Sequence, residues 1–283
     1  MTAGAIETIA EHRCVGGVQG FYRHRSAACD GPMRFAVYRP PAAEHGRVPA
    51  LFYLAGLTCT EETFPTKAGA QALASELGLM LVAPDTSPRE PRLPGDDADW
   101  EFGLGAGFYI DATRAPWSAH YRMESYVARE LPDLVIANFP ADPERLGIFG
   151  HSMGGHGALT LGLKYPERFR SLSAFAPIAA PMRCPWGIKA FSGYLGPDRA
   201  AWARHDATEL VERTQVGHSI LIDQGLADKF LPTQLFPETF EAACEAVGQD
   251  LTLRRHAGYD HGYYFIQSFM ADHLRRHAAL LGR

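Results

Sequence analysis

Residues 148–159, IFGHSMGGHGAL, decide how the rest of the chain is read. They contain G-x-S-x-G as Gly150, His151, Ser152, Met153 and Gly154. RLGIFG before it reads as a strand, and MGGHGALTLGLKYP after it as a helix ending at Pro166. A serine on such a turn takes a strained backbone angle that lifts its hydroxyl to the top of a sheet. Small neighbours let the turn close without Cβ clashes. The alternative is a passive serine in a glycine-rich helix start. The strand–turn–helix context favours the nucleophile.

Outward from this motif, strands alternate with helices. VPALFYLAG and LMLVAP are apolar runs suited to strands covered on both faces. AGAQALASELG has helical spacing and closes on Gly78. YRMESYVARELPDLVIANF reads as a helix disturbed at Pro132. SLSAFAP, SILIDQG and LTLRRHA are three further strands. The alternation predicts an α/β fold, a mainly parallel sheet flanked by helices on both faces. At the N-terminus, CVGGVQGFYRHRS and PMRFAVYRP alternate apolar and polar residues, as half-buried antiparallel strands do. No linker or repeat splits the 283 residues, so a single domain over 1–283 is expected. Two long segments, roughly 84–120 and 177–201, read as functional loops.

The charge balance narrows the partners. The formal net charge is -5 and Lys and Arg are scattered, so the electrostatic footprint of a nucleic-acid binder is missing. No apolar run is long enough to span a bilayer, and the first residues do not form a secretory signal. Five widely spaced cysteines, without C-x-x-C, fit reduced thiols in the cytoplasm.

A serine hydroxyl needs a base to take its proton. With this motif, the base is a histidine after the last strand and the acid precedes it. His261, in GYDHGYYF, sits after LTLRRHA and before an apolar-periodic helix, where the base is needed. His256 lies within the strand and suits packing. His151 and His156 sit on the turn itself, too close to reach back, and their spacing is not the H-E-x-x-H of zinc sites, so no metal is expected. For the acid, Asp223 and Asp228 in DQGLADKFL both qualify by spacing. A carboxylate past the strand end swings more freely, which favours Asp228. Asp260 is too close to His261 to orient it. The oxyanion needs two backbone N–H donors. Met153 supplies one, and Leu57, after Gly56 in FYLAGLTCTEE, the other. Each such donor is worth about 3–4 kcal/mol in the transition state. FGLGAGFY resembles a dinucleotide fingerprint, but Phe108 stands where the last glycine should be and no strand precedes it. It reads as a flexible loop beside the site.

Longer blocks carry a resemblance: MRFAVYRPP, FYLAGLTCTEETF, DWEFGLGAGFYIDAT, SYVARELP, CPWGIKAFSGYLG, DQGLADKFL and YDHGYYFI, together with the serine motif. They resemble the S-formylglutathione hydrolase (esterase D) family of the α/β-hydrolase superfamily, through nearly the whole chain. The resemblance implies an α/β-hydrolase fold with Ser152, Asp228 and His261 as nucleophile, acid and base. It implies Leu57 and Met153 as oxyanion donors, with Trp186 and Cys59 at the substrate pocket. It also implies cleavage of S-formylglutathione to glutathione and formate in cytosolic formaldehyde detoxification, hydrolysis of simple esters, no cofactor, and a homodimer. The family usually has serine after the catalytic histidine; here Gly262 stands there. A formyl group is small, so short acyl groups are expected to be preferred. Lys67, Arg89, Arg92 and Lys189 are candidates for the glutathione carboxylates. Cys59 reads either as a thiol whose modification blocks the pocket or as an inert buried one. The nearest alternatives are a general short-chain carboxylesterase and an acyltransferase.

Overall fold

The computed structural model describes residues 5–282. Among them, nine strands form one sheet in the order β1-β2-β3-β5-β4-β6-β7-β8-β9. Strands β1 (Ile6–Cys14), β2 (Gly17–Ser26) and β3 (Gly31–Arg39) make an antiparallel ribbon, which joins the rest through β3 and β5. CVGGVQGFYRHRS, read above as one strand, contains the hairpin turn. Val15 and Gly16 take φ of 47° and 76°, so the strand begins only at Gly17.

The parallel part follows the predicted alternation. It comprises β4 (Val48–Leu54), α1 (Gln71–Leu77), β5 (Met80–Pro84), α2 (Leu131–Asn138), β6 (Ala141–His151), α3 (Met153–Lys164), β7 (Leu172–Phe175), α4 (Pro185–Tyr194), β8 (Ile220–Gly225), α5 (Pro237–Val247), β9 (Leu251–His256) and α6 (Tyr263–Leu281). From β5 to β9 along the sheet, every neighbouring pair is parallel. Strands β4, β5, β7 and β8 carry almost only buried residues, as strands covered on both faces must. Gly78 closes α1 in the left-handed region, φ 66°, where a Cβ would cost energy. Before Pro132, the residues Tyr126–Glu130 form a widened turn. Proline has no N–H to donate and its ring crowds the preceding turn, so the helix loosens there.

The segment 177–201, expected as a loop, is corrected in part: it contains α4. Pro185 begins the helix, where its missing N–H costs nothing, and the Cys184 sulfur caps it by accepting from the Gly187 amide. Trp186, Ala190, Phe191 and Tyr194 recur on its buried face. The segment 85–116 is irregular but pinned. Arg89 holds Asp85, and Arg92 holds Asp96 and Asp97. All five cysteines are free thiols. Among the described residues, no helix is long and apolar enough to cross a membrane.

Candidate active site

The turn between β6 and α3 has the geometry that the glycines allow. Ser152 takes φ 58° and ψ −119°, and its residue is only 3% exposed. A Cβ on Gly150 would fall 2.2 Å from the Gly154 carbonyl oxygen, and one on Gly154 would fall 1.9 Å from that of Leu54. Neither position tolerates a side chain. The Ser152 backbone is fixed on both sides: its N–H donates to Phe175 O, and its carbonyl accepts from His156 and Ile178. Strain of this kind persists where the surroundings over-determine it.

The first turn of α3 and the loop after β4 meet at this serine. A Cβ on Gly56 would lie 3.2 Å from Ser152 Cβ and 3.3 Å from His151 Nδ1, so Gly56 lets the loop backbone close on the serine. Among the described residues, the amides of Leu57 and Met153 donate to no protein acceptor. Neighbours hold the loop in place. Tyr109 Oη donates to Ala55 O at 2.9 Å, and Thr58 N donates to Gly105 O at 2.9 Å. Gly105 N in turn donates to Ser87 Oγ. Thus FGLGAGFY braces the loop that carries Leu57, with Gly103 and Gly105 both at positive φ.

His261 Nδ1 lies 2.5 Å from Asp228 Oδ2. The fully buried Asp228 carboxylate also accepts from the Phe230 amide and Gln224 Nε2. The two loops that carry the pair are laced together, Leu226 N to His256 O and Ala227 N to Tyr259 O. Asp228 can only accept when ionised, so the bond fixes the imidazole with its proton on Nδ1 and frees Nε2 as a base. The structure joins His261 and Asp228 directly. No hydrogen bond connects Ser152 Oγ with the His261 ring among the described residues. His151, the residue before Ser152, has its ring centroid 4.4 Å from that of His261. Such contacts commonly close only when substrate binds.

Asp223 does separate work. Arg254 grips it at 2.5 and 2.6 Å, His256 at 3.0 Å and His273 at 3.1 Å. Burial pushes its carboxyl up, but the bonds from His273 and Arg254 outweigh this and hold it well below the ordinary carboxylate range. Because the ionised Asp223 only accepts, His273 donates to it through Nε2, and Nδ1 accepts from Ser173 Oγ at 2.8 Å. Ser173 then accepts from His277 Nε2 at 2.8 Å, and His277 Nδ1 accepts from Ser171 at 2.7 Å. This buried relay ties β7, β8, β9 and α6 together beneath the loops that bear Asp228 and His261. Asp260 turns to the Gly262 amide, 2.8 Å away, and not to His261.

Around the imidazole stands an aromatic wall. The Phe230 ring is 5.0 Å from His261, Trp186 is 4.8 Å from Phe230, and Trp100, 53% exposed, is 5.5 Å from Trp186. The resemblance points to Trp186 alone of these three; Phe230 and Trp100 join it through contacts between segments remote along the chain. Cys59 packs near Tyr263, and burial pushes its thiol up, against the thiolate that a reactive cysteine needs. Its carbonyl is held by Thr86 Oγ1 at 2.5 Å and Arg89 at 2.9 Å. Burial keeps the His151 ring neutral, far below its ordinary pKa. Of the four candidate cations, Arg89 and Arg92 are bound to acids of their own segment, and Lys189 to Asp99 and Glu101. Only Lys67 of the four has no acidic partner among the described residues.

Three comparisons bear on this site. Residues 26–276 match the family model Esterase, described as "Putative esterase". The chain is 55% identical over 279 residues to S-formylglutathione hydrolase of Mus musculus, covering 98% of this chain and 99% of that protein. It is 55% identical over 278 residues to S-formylglutathione hydrolase of Paracoccus denitrificans, with the same coverage. A solved structure of an S-formylglutathione hydrolase from Agrobacterium tumefaciens superposes with a TM-score of 0.95 at 52% identity, covering 97% of this chain and 99% of that one.

Proposed function

The chain belongs to the esterase family, and from that premise we propose that it is a serine hydrolase that cleaves S-formylglutathione to glutathione and formate. The observation that carries the reading is the His261–Asp228 hydrogen bond, with a positive-φ Ser152 following the His151 that packs on His261, in a chain more than half identical end to end to proteins of that name.

The chemistry follows from the atoms. His261 Nε2 takes the Ser152 proton as Oγ attacks the formyl carbonyl. The Leu57 and Met153 amides receive the oxyanion. The C–S bond breaks and glutathione leaves as a thiol, taking the proton from His261. A sulfur of pKa about 8.5 is a good leaving group, so protonating it matters less than in amide cleavage. Water then gives a proton to His261 and attacks the formyl ester. His261 returns that proton to Ser152 Oγ as the C–O bond breaks, and formic acid leaves and gives its proton to solvent to become formate. Asp228 holds the tautomer and balances the transient imidazolium. The steps call on no cofactor.

Support for a small acyl group comes from the closed surroundings of Ser152: the residue and Met153 after it are buried, and a Cβ on Gly56 would lie 3.2 Å from Ser152 Cβ. The reading extends to one hydrolase domain over the chain, and to a cytoplasmic homodimer serving formaldehyde detoxification. Light scattering on the purified protein tests the dimer.

The test of the activity is steady-state kinetics on formyl, acetyl and octanoyl thioesters of glutathione. The formyl compound is expected to have the highest kcat/KM, by about 10-fold or more over acetyl, as one methylene in a tight pocket allows. Equal turnover of all three would turn the reading to a general carboxylesterase.

A further inference from the structure

S-Formylglutathione differs from a simple ester chiefly in its leaving group. Glutathione is a tripeptide whose sulfur lies on the middle residue and whose two carboxylates lie at opposite ends. With the sulfur at the reacting carbon, those carboxylates must reach the rim of the site in two separate directions. A protein with a net charge of -5 does not attract them by its overall field, so recognition needs local cations.

Two lysines meet that need, and one escaped the sequence reading. Lys67 ends the short helix after the oxyanion loop, and its Nζ lies 5.9 Å from the centroid of the Tyr263 ring. Tyr263 flanks His151, with ring centroids 6.1 Å apart. Lys229 follows Asp228, and its Nζ lies 4.9 Å from the centroid of the Phe230 ring. That ring is in turn 5.0 Å from His261. Both lysines are exposed, and neither has an acidic partner among the described residues. An aromatic face holds an ammonium in place without neutralising it, so each cation stays available to an anion. The contrast with Lys189, drawn off by Asp99 and Glu101, is direct.

We infer that Lys67 and Lys229 receive the two carboxylates of the glutathione leaving group, one each. This rests on the reading of the substrate as S-formylglutathione. The lysines touch substrate far from the reacting carbon, so they act on binding and on the choice of thiol. Exposed ion pairs are individually weak, up to about fivefold in affinity, and fall with salt.

The test compares wild type with the double variant K67A/K229A on two substrates: S-formylglutathione and the formyl thioester of 2-mercaptoethanol, which has no charge. The expected result is about a tenfold fall in the ratio of kcat/KM between the two substrates, carried by KM for S-formylglutathione. Raising ionic strength should lower that ratio in wild type more than in the variant, and K67R/K229R should restore it. An unchanged ratio, or a fall in kcat alike on both substrates, overturns the inference. If wild type does not hydrolyse S-formylglutathione at all, the reading of the substrate fails instead, which the same experiment shows in its first arm.

Discussion

His261 bonds Asp228 at 2.5 Å and leaves Asp223 untouched, although the two aspartates leave the same strand end. Asp223 is instead enclosed by Arg254, His256 and His273. Two acids that spacing alone does not separate thus have different partners, one orienting the His261 ring and one clamping the sheet.

Asp228→Asn and Asp223→Asn should therefore fail differently. D228N is expected to lower kcat by about ten thousandfold while the melting temperature stays within a few degrees, as loss of the orienting acid does in Ser–His–Asp triads. D223N breaks a buried charge cluster and should cost about 3–5 kcal/mol of unfolding free energy. Paired denaturation curves and kinetics on an aryl acetate check this. The reverse pattern would exchange the roles.

Gly56→Ala tests the oxyanion loop. The added methyl would press on Ser152 Cβ at 3.2 Å and on His151 at 3.3 Å, so the loop must back away and carry the Leu57 amide with it. A displaced donor should lower kcat by about 10–100-fold with little change in KM. Wild-type turnover in G56A would remove Leu57 from the mechanism.

Stability should fall in mild acid. Burial holds His151, His273 and His277 below the ordinary histidine range and His156 at about 3. The unfolded chain takes up a proton on each near pH 6.5, which the folded chain does not. Protons thus favour the unfolded state, so stability is whole above about pH 6.5 and is lost as pH falls from there toward the folded values. His156, which stays neutral throughout this window, contributes about 1.4 kcal/mol of loss between pH 7.5 and 5.5, and the other three add loss in the same direction. Urea unfolding at the two pH values measures the sum, and H277F, which cannot titrate, should have a shallower pH dependence than wild type.

Gly262→Ser should be nearly neutral. Gly262 caps α6 in extended backbone, φ −85°, with no side-chain bond of its own, while Asp260 takes its amide. Serine there should add a few tenths of a kcal/mol as a cap, partly offset by its Cβ at 3.2 Å from Asp260 Oδ1. Thermal denaturation of G262S decides the sign.

Much of this was legible in the chain because local chemistry dictated it. The β6–α3 turn needs glycine at 150 and 154 for steric reasons that any such turn shares, and buried parallel strands must be apolar. The position of His261 on the loop after the last strand was legible from the order of the elements. What the sequence could not reveal depends on contacts remote along the chain. Lys189 is neutralised by acids of the Trp100 loop, and Asp223 is claimed by a histidine of the terminal helix, so neither fate is written near the residue concerned. Helix α4 hid behind Pro185, Gly187 and Gly193, which read as loop punctuation until the apolar spacing from Trp186 to Tyr194 is weighed. His151 is too close to Ser152 along the chain to reach back, yet its ring packs against that of His261.

In the proposed reaction Ser152 carries the formyl group. Rapid quenching of the enzyme with S-formylglutathione, followed by peptide mass spectrometry, tests it most directly, with S152A alongside. A formyl adduct is expected on the peptide containing Ser152, together with a drop in kcat of about a millionfold in S152A. Formate release by S152A at near wild-type rate, or an adduct on any other residue, would contradict it.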